Sequence, residues 1–140
     1  MLRVTPVELL NLKLRVQRGK DRKVELQRGD SKYRNQVIET TDGRFDSKAE
    51  HRYWCYLKQL EKAKQVGNIR RQVVFELAPS VIVAKRKRPP MRYVADFVYW
   101  DCLKKCEVVA DVKGAITEGY RIKRHLMKSV HNIDILEIQS

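Results

Sequence analysis

The apolar positions along this chain change period several times, and each change marks an element. From Asp46 or Ser47 to about Gln65, the residues Ala49, Tyr53, Tyr56, Leu57, Leu60 and Ala63 recur at helical spacing, with Gly67 as the predicted stop. On a wheel of about 100° per residue, Glu50 lies at the margin of that stripe, turned toward a sheet edge. Upstream, Asp42-Gly43 signals a turn between two short extended runs in KYRNQVIETTDGRF. Downstream, RQVVFEL and then SVIVAK after Pro79 read as strands, and KRKRPP reads as a basic loop. RYVADFVYW and EVVADVKG are strand-like runs joined by DCLKKC, which is polar and short enough to be a hairpin loop. Ile122, Leu126 and Met127 mark a second helix between about Thr117 and Val130, and IDILEI closes the chain as a strand. Helix, three or four strands, helix, strand is the order of an α/β (α+β) domain.

The first residues have a different character. Thr5-Pro6-Val7-Glu8 carries an N-cap, a first-turn proline and a capping-box glutamate, so a short helix through ELLNLKLRV is predicted. QRGKDRKVELQRGDSK is polar and broken by Gly19 and Gly29, which suggests a loop or arm. The chain therefore divides into an N-terminal helix and basic arm over 1–31 and a main domain over 32–140. The arm is either a solvent-facing extension or a contact with a second copy or with nucleic acid.

The hairpin holds the candidate chemistry. If it is symmetric about Leu103-Lys104, Asp96 falls opposite Asp111, and alternation puts Lys113 on the same face. Two carboxylates facing each other inside apolar strands repel, which suggests that a cation normally sits between them. A register off by one would instead make them strand-end solubilising groups.

Charge extends this picture. Thirty Lys and Arg against seventeen Asp and Glu give +13 on 140 residues, an excess that favours polyanionic partners and nucleic acid above membrane surfaces. With 43% hydrophobic residues there is enough for one core, and no apolar run approaches the roughly 18 residues of a membrane span. The N-terminus does not resemble a signal peptide. Three cysteines argue against a disulfide framework and for a reducing, cytoplasmic setting. Cys102 and Cys106 would need two further ligands to hold zinc, and His125 and His131 stand at no zinc-site spacing.

FDSKAE, YVADF and DVKG place a helix-borne acid, an Asp and the pair Asp-x-Lys in the order used by PD-(D/E)xK nucleases. The chain resembles a small phage-associated branch of that superfamily, similar to Holliday junction resolvases. KYRN, FDSKAE, GNIRRQVVFELAP, YVADFVYW and DVKG stand in register over about residues 32–138. The resemblance implies a restriction-endonuclease-like αβββαβ core with a mixed sheet flanked by helices, a divalent metal, and cleavage of DNA in the host cytoplasm. It offers no precedent for Met1 to Asp30, and the third acid is Asp111 where much of the superfamily has Glu.

On this reading Glu50, Asp96, Asp111 and Lys113 are the catalytic set. Asp96 and Asp111 would hold Mg²⁺, for which Mn²⁺ would substitute, with the Val112 backbone carbonyl as a further ligand and Glu50 acting through water. Lys113 would orient the attacking water or stabilise developing charge. Glu50 also completes a capping box with Ser47, which by itself accounts for a glutamate there. Gln72 lines the site or is an exposed strand residue. Lys85, Arg86, Lys87 and Arg88, with Tyr120, Lys123 and Arg124 on the second helix, are candidate DNA contacts or ordinary solvated positions. Tyr53 and Trp54 read as core.

The function this implies is resolution of branched DNA by paired nicks, which a two-fold homodimer would supply. A nicking or restriction-like enzyme on duplex DNA is the alternative within that class. Outside it stands a non-catalytic nucleic-acid-binding module on a nuclease scaffold.

Overall fold

The computed structural model describes residues 36–140, so the predicted N-terminal helix, the arm and the KYRN segment lie outside the described residues. The described chain falls into two units, one ending at Arg52 and one covering Tyr53–Ser140.

In the first unit, β1 (Ile38–Thr40) and β2 (Gly43–Phe45) form the predicted hairpin about Asp42-Gly43, with Gly43 at φ 112. Helix α1 (Lys48–Lys62) opens here. Ser47 caps it by accepting from the Glu50 amide at 3.1 Å, while a Glu50 carboxylate oxygen accepts from the Asp46 amide at 3.1 Å. Such an N-cap is worth about 1 kcal/mol.

The second unit begins within α1, whose end differs from the prediction. Lys64 takes a left-handed φ of 56, Gln65 N–H donates to Leu60 C=O, and Lys64 N–H donates to Glu61 C=O. These two bonds make a Schellman cap, so the left-handed stop falls at Lys64, three residues before Gly67, which lies inside the next strand. The predicted strand RQVVFEL is accordingly longer, running as β3 from Val66 to Ala78.

After β3 come β4 (Val81–Val83), β5 (Arg86–Arg88), β6 (Met91–Asp101), β7 (Cys106–Lys113), α2 (Glu118–His131) and β8 (Leu136–Gln139). Four strands make a mixed sheet in the order β3-β6-β7-β8, antiparallel except for the parallel β7–β8 pair. The return to a parallel strand requires a crossover, which α2 provides. Thr117 accepts from the Tyr120 amide as its N-cap, and Asn132 closes it in the left-handed region. Among the described residues the fold is thus mixed α/β, with a multi-stranded mixed sheet and two helices.

KRKRPP is not the basic loop predicted. Its Arg86–Arg88 portion is a strand paired antiparallel with Val81–Val83 across a two-residue turn, Ala84-Lys85. Both turn residues have positive φ, 49 and 62, the type I′ geometry that matches strand twist.

Residues on α1 and α2 meet different parts of the sheet. Tyr53 bonds Tyr99 hydroxyl to hydroxyl at 2.9 Å and packs on Phe97, Trp54 stacks on Phe97, and Leu57 is fully buried. Arg71 lies over the Trp54 ring. On the α2 side, Leu77, Tyr93, Ala95, Val98, Val109, Tyr120 and Met127 form one cluster. Ile122, predicted to mark the apolar face of α2, is half exposed, and Met127 and Leu126 carry that face.

Between the register shifts at Gly67/Arg70 and Glu76/Ala78, alternation also breaks in the middle of the β3–β6 pair. On β3, Arg71 meets Trp54 but Val73 and Phe75 pack against the α2 cluster. On β6, Tyr93 and Ala95 join that cluster, yet Phe97 meets Tyr53 and Val98 joins the cluster. Pairing is the same on both sides, Arg71↔Phe97 and Val73↔Ala95, so both strands change face together at Gln72 and Asp96. Gln72 has φ 52, a conformation that costs a non-glycine residue about 1–2 kcal/mol.

Candidate functional site

That shared kink positions the acids. The β6–β7 ladder runs from Asp101↔Cys106 to Phe97↔Ala110 with the predicted symmetry about Leu103-Lys104. Asp101 fixes the loop by accepting from the Leu103 and Lys104 amides at 2.9 and 3.0 Å. One step past Phe97↔Ala110 the same register sets Asp96 against Asp111. There the side chain replaces the ladder: Asp96 Oδ2 accepts from the Val112 amide at 2.9 Å, and its Oδ1 accepts from Gln72 Nε2 at 3.3 Å. A strand amide that would otherwise lack a partner is satisfied by a carboxylate, which holds that carboxylate beside Asp111.

Asp111 is 1% exposed, deep for an ionisable group. Its Oδ2 accepts from the Tyr93 hydroxyl and pairs with Lys113 Nζ at 3.0 Å. Lys113 in turn sits 4.8 Å from the centre of the Tyr120 ring. Tyr120 and Arg124 both donate to Glu137, the β8 residue opposite Asp111, at 3.0 and 2.6 Å. A buried carboxylate thus has a phenol and an ammonium as donors, which offsets the cost of its desolvation. The charges leave their mark on the phenols. Burial first, then the bond to Asp111 and the nearby Asp111 and Asp96 charges, push the Tyr93 hydroxyl far above the usual tyrosine range. Tyr120 is likewise raised, by burial and by Glu137.

The structure brings together Asp96, Asp111, Lys113 and Gln72, and it puts the Val112 backbone in the same place. Gln72 is an exposed strand residue whose amide donates to Asp96. Glu50 belongs to the first unit, where its carboxylate accepts from the Asp46 amide at the start of α1. Tyr120 is buried with its hydroxyl on Glu137, and Arg124 pairs with the same carboxylate, so neither is a plain solvated helix position. Lys123 is exposed, as are Lys85, Arg86, Lys87 and Arg88.

Two members of the site were missed from the sequence. Tyr93 lies an odd number of residues from Asp96, so alternation assigns it to the opposite face, and only the kink reverses that. Glu137 carried a signal, an acid inside the apolar run IDILEI.

The donors at Asp96 and Asp111 are oxygens without thiol or imidazole, and among the described residues no three His, Cys, Asp or Glu side chains converge. That set suits a hard cation that keeps its waters and needs only one or two carboxylates, and it does not suit a zinc cage. A carboxylate offers about four lone-pair positions, and at Asp111 the bonds from Tyr93 and Lys113 both fall on Oδ2. Among the described residues, no helix is long and apolar enough to cross a membrane.

No curated protein and no solved structure matches the chain. A family described as "Protein of unknown function (DUF1064)" matches residues 30–136, most of the chain and the whole of the hairpin that bears the acids, and the chain belongs to that family.

Proposed function

We propose that this protein is a Mg²⁺-dependent DNA endonuclease of the PD-(D/E)xK kind that acts on branched DNA such as Holliday junctions. The observation that carries the proposal is the opposition of Asp96 and Asp111 across β6–β7, with Lys113 paired to the buried Asp111. Facing carboxylates destabilise a sheet unless a cation lies between them. The order α1, β3, β6, β7, α2, β8 supports a restriction-endonuclease-like αβββαβ core. The +13 charge supports a polyanionic substrate.

In this mechanism Asp96 and Asp111, with the Val112 carbonyl, would hold the metal, and Mn²⁺ would substitute for Mg²⁺. The bound metal supplies Lewis-acid polarisation of the phosphoryl group and neutralises charge. Lys113, fixed between Asp111 and the Tyr120 ring, orients the attacking water and balances the charge that develops on the phosphate. Tyr93 keeps the Asp111 carboxylate in place, and Glu50 would supply the further acid that the PD-(D/E)xK pattern implies. Two symmetric nicks in a four-way junction need two active sites, which a two-fold homodimer supplies.

The test is digestion of a four-way junction and a linear duplex of the same arms, with and without Mg²⁺, by wild type, Asp96→Asn and Asp111→Asn. Metal-dependent cutting of the junction is expected from wild type only, while both variants still bind DNA. A variant that cuts at the wild-type rate refutes the mechanism. Equal cutting of both DNAs makes the enzyme a duplex nickase. Inactivity of wild type with Mg²⁺ and Mn²⁺ on every DNA form leaves a binding module.

A further inference from the structure

The β4–β5 hairpin continues the β3–β6 pairing. Ala78↔Met91 and Val81↔Arg88 share one register, which sets Pro79 against Pro90 and Ser80 against Pro89 between them. Prolines donate no amide, so the ladder lapses at that joint and resumes beyond it. The result is a two-stranded ribbon projecting from the sheet, its turn about 20 Å past Ala78 at roughly 3.3 Å per residue.

Its composition is unusual for such a ribbon. Val81, Ile82 and Val83 form one strand and Arg86, Lys87 and Arg88 the other, and all six are exposed, Ile82 by 77%. Val81, Val83, Arg86 and Arg88 share one face, and Ile82 and Lys87 share the opposite face. A lone hairpin is marginal in water, and this one keeps β-branched apolar side chains in solvent on both faces. Its occupant must therefore offer apolar contact and negative charge together, and must embrace two faces. A second copy would bring like charge against like. A flat anionic membrane would cover one face only. The major groove of DNA is about 12 Å wide, admits a two-stranded ribbon, and has phosphate walls on either side of base edges and thymine methyls.

We propose that the β4–β5 ribbon enters the major groove of a duplex arm, with Val81, Ile82 and Val83 against base edges and Arg86, Lys87 and Arg88 on phosphates. The inference rests on DNA being the substrate, as proposed above, and it adds where the DNA is gripped. Along β6 the ribbon begins roughly 25 Å from Asp96, so the grip falls about seven base pairs from the site at 3.4 Å per pair.

The experiment measures affinity of the full chain for a fluorescent duplex and a four-way junction over a salt series without divalent metal, so that cleavage plays no part. Ile82→Ser is expected to weaken binding about tenfold, as loss of a largely buried aliphatic contact does, at an unchanged salt slope. The triple variant Arg86→Ala, Lys87→Ala, Arg88→Ala is expected to lower the log–log salt slope by up to about 2.7, at about 0.9 per phosphate. Thermal melts equal to wild type exclude misfolding, since none of these side chains is buried. Ile82→Ser binding within about twofold of wild type overturns the groove insertion, as does an unchanged slope in the triple variant. Tighter ribbon-dependent binding to phosphatidylserine vesicles than to DNA overturns the choice of partner. Failure here with intact metal-dependent cleavage leaves the nuclease reading standing, whereas binding as expected without any cleavage removes only the nuclease.

Discussion

Tyr93→Phe removes one oxygen from the site and leaves every packing surface in place. Tyr93 is 3% exposed and Asp111 is 1% exposed, so water cannot readily take over the lost bond. A hydrogen bond to a buried charged acceptor contributes about 1.5–3 kcal/mol. Because the ring still fills its place between Tyr120 and the cluster around Met127, no cavity adds to that figure. In a domain of this size the loss corresponds to a Tm roughly 5–10 °C lower. Urea unfolding followed by the fluorescence of Trp54 and Trp100 gives the single-variant value. A double-mutant cycle with Asp111→Ala isolates the pair, and a coupling of about 1.5–3 kcal/mol is expected. If Asp111 is a metal ligand, loosening it also weakens Mg²⁺ by about 10–100-fold, seen as a shifted metal dependence of cleavage. Additivity within about 0.3 kcal/mol refutes the reasoning, because the hydroxyl would then contribute nothing to holding the carboxylate.

Three further outcomes follow from the same structure. Burial raises Tyr53 well above the usual tyrosine range and pushes Tyr99 up to about 12, and Tyr93 is raised also. A folded-state pKa above the unfolded value of about 10 means that stability is full below pH 10. It then falls by about 1.4 kcal/mol per pH unit per buried phenol as pH climbs toward 12. Phenolate absorbance and circular dichroism should therefore change together in one alkaline transition, and titration of every tyrosine near pH 10 with the fold intact would contradict this. At the start of α1, Ser47→Ala should cost about 1 kcal/mol with activity retained, whereas Glu50→Gln keeps an acceptor for the Asp46 amide and should spare stability while abolishing cleavage. Full activity in Glu50→Gln would reduce Glu50 to its capping role.

The parts legible in the sequence share a local cause. The DCLKKC loop is symmetric and polar between two apolar runs, so its centre, and with it the opposition of Asp96 and Asp111, could be read directly. Thr117 stands immediately before the second helical period and caps it. Ser47-x-x-Glu50 announces an N-cap, and Ser47 does cap α1, with the Glu50 carboxylate taking the Asp46 amide one residue earlier. The parts not legible depend on conformations that residue type does not advertise. Lys64 caps α1 in the left-handed region, where glycine is the usual signal, so Gly67 drew the stop instead. Ala84-Lys85 makes a type I′ turn without Asn or Gly, so a ribbon read as a loop.

The sequence by itself determined which groups this protein has available: two aspartates in register, a lysine one alternation further on, and a strong excess of positive charge. Side-chain period and turn chemistry are properties of a few neighbouring residues, and they suffice for that. Only the tertiary structure decided what surrounds those groups. The joint change of face at Gln72 and Asp96 exists because two strands kink together. It turns Tyr93 onto Asp111 and lets Asp96 take the Val112 amide. The pairing of Lys113 with the Tyr120 ring, and of Tyr120 and Arg124 with Glu137, needs the first turns of α2 brought up to the end of β7 and to β8. These contacts join residues far apart in the chain, and no local pattern encodes them.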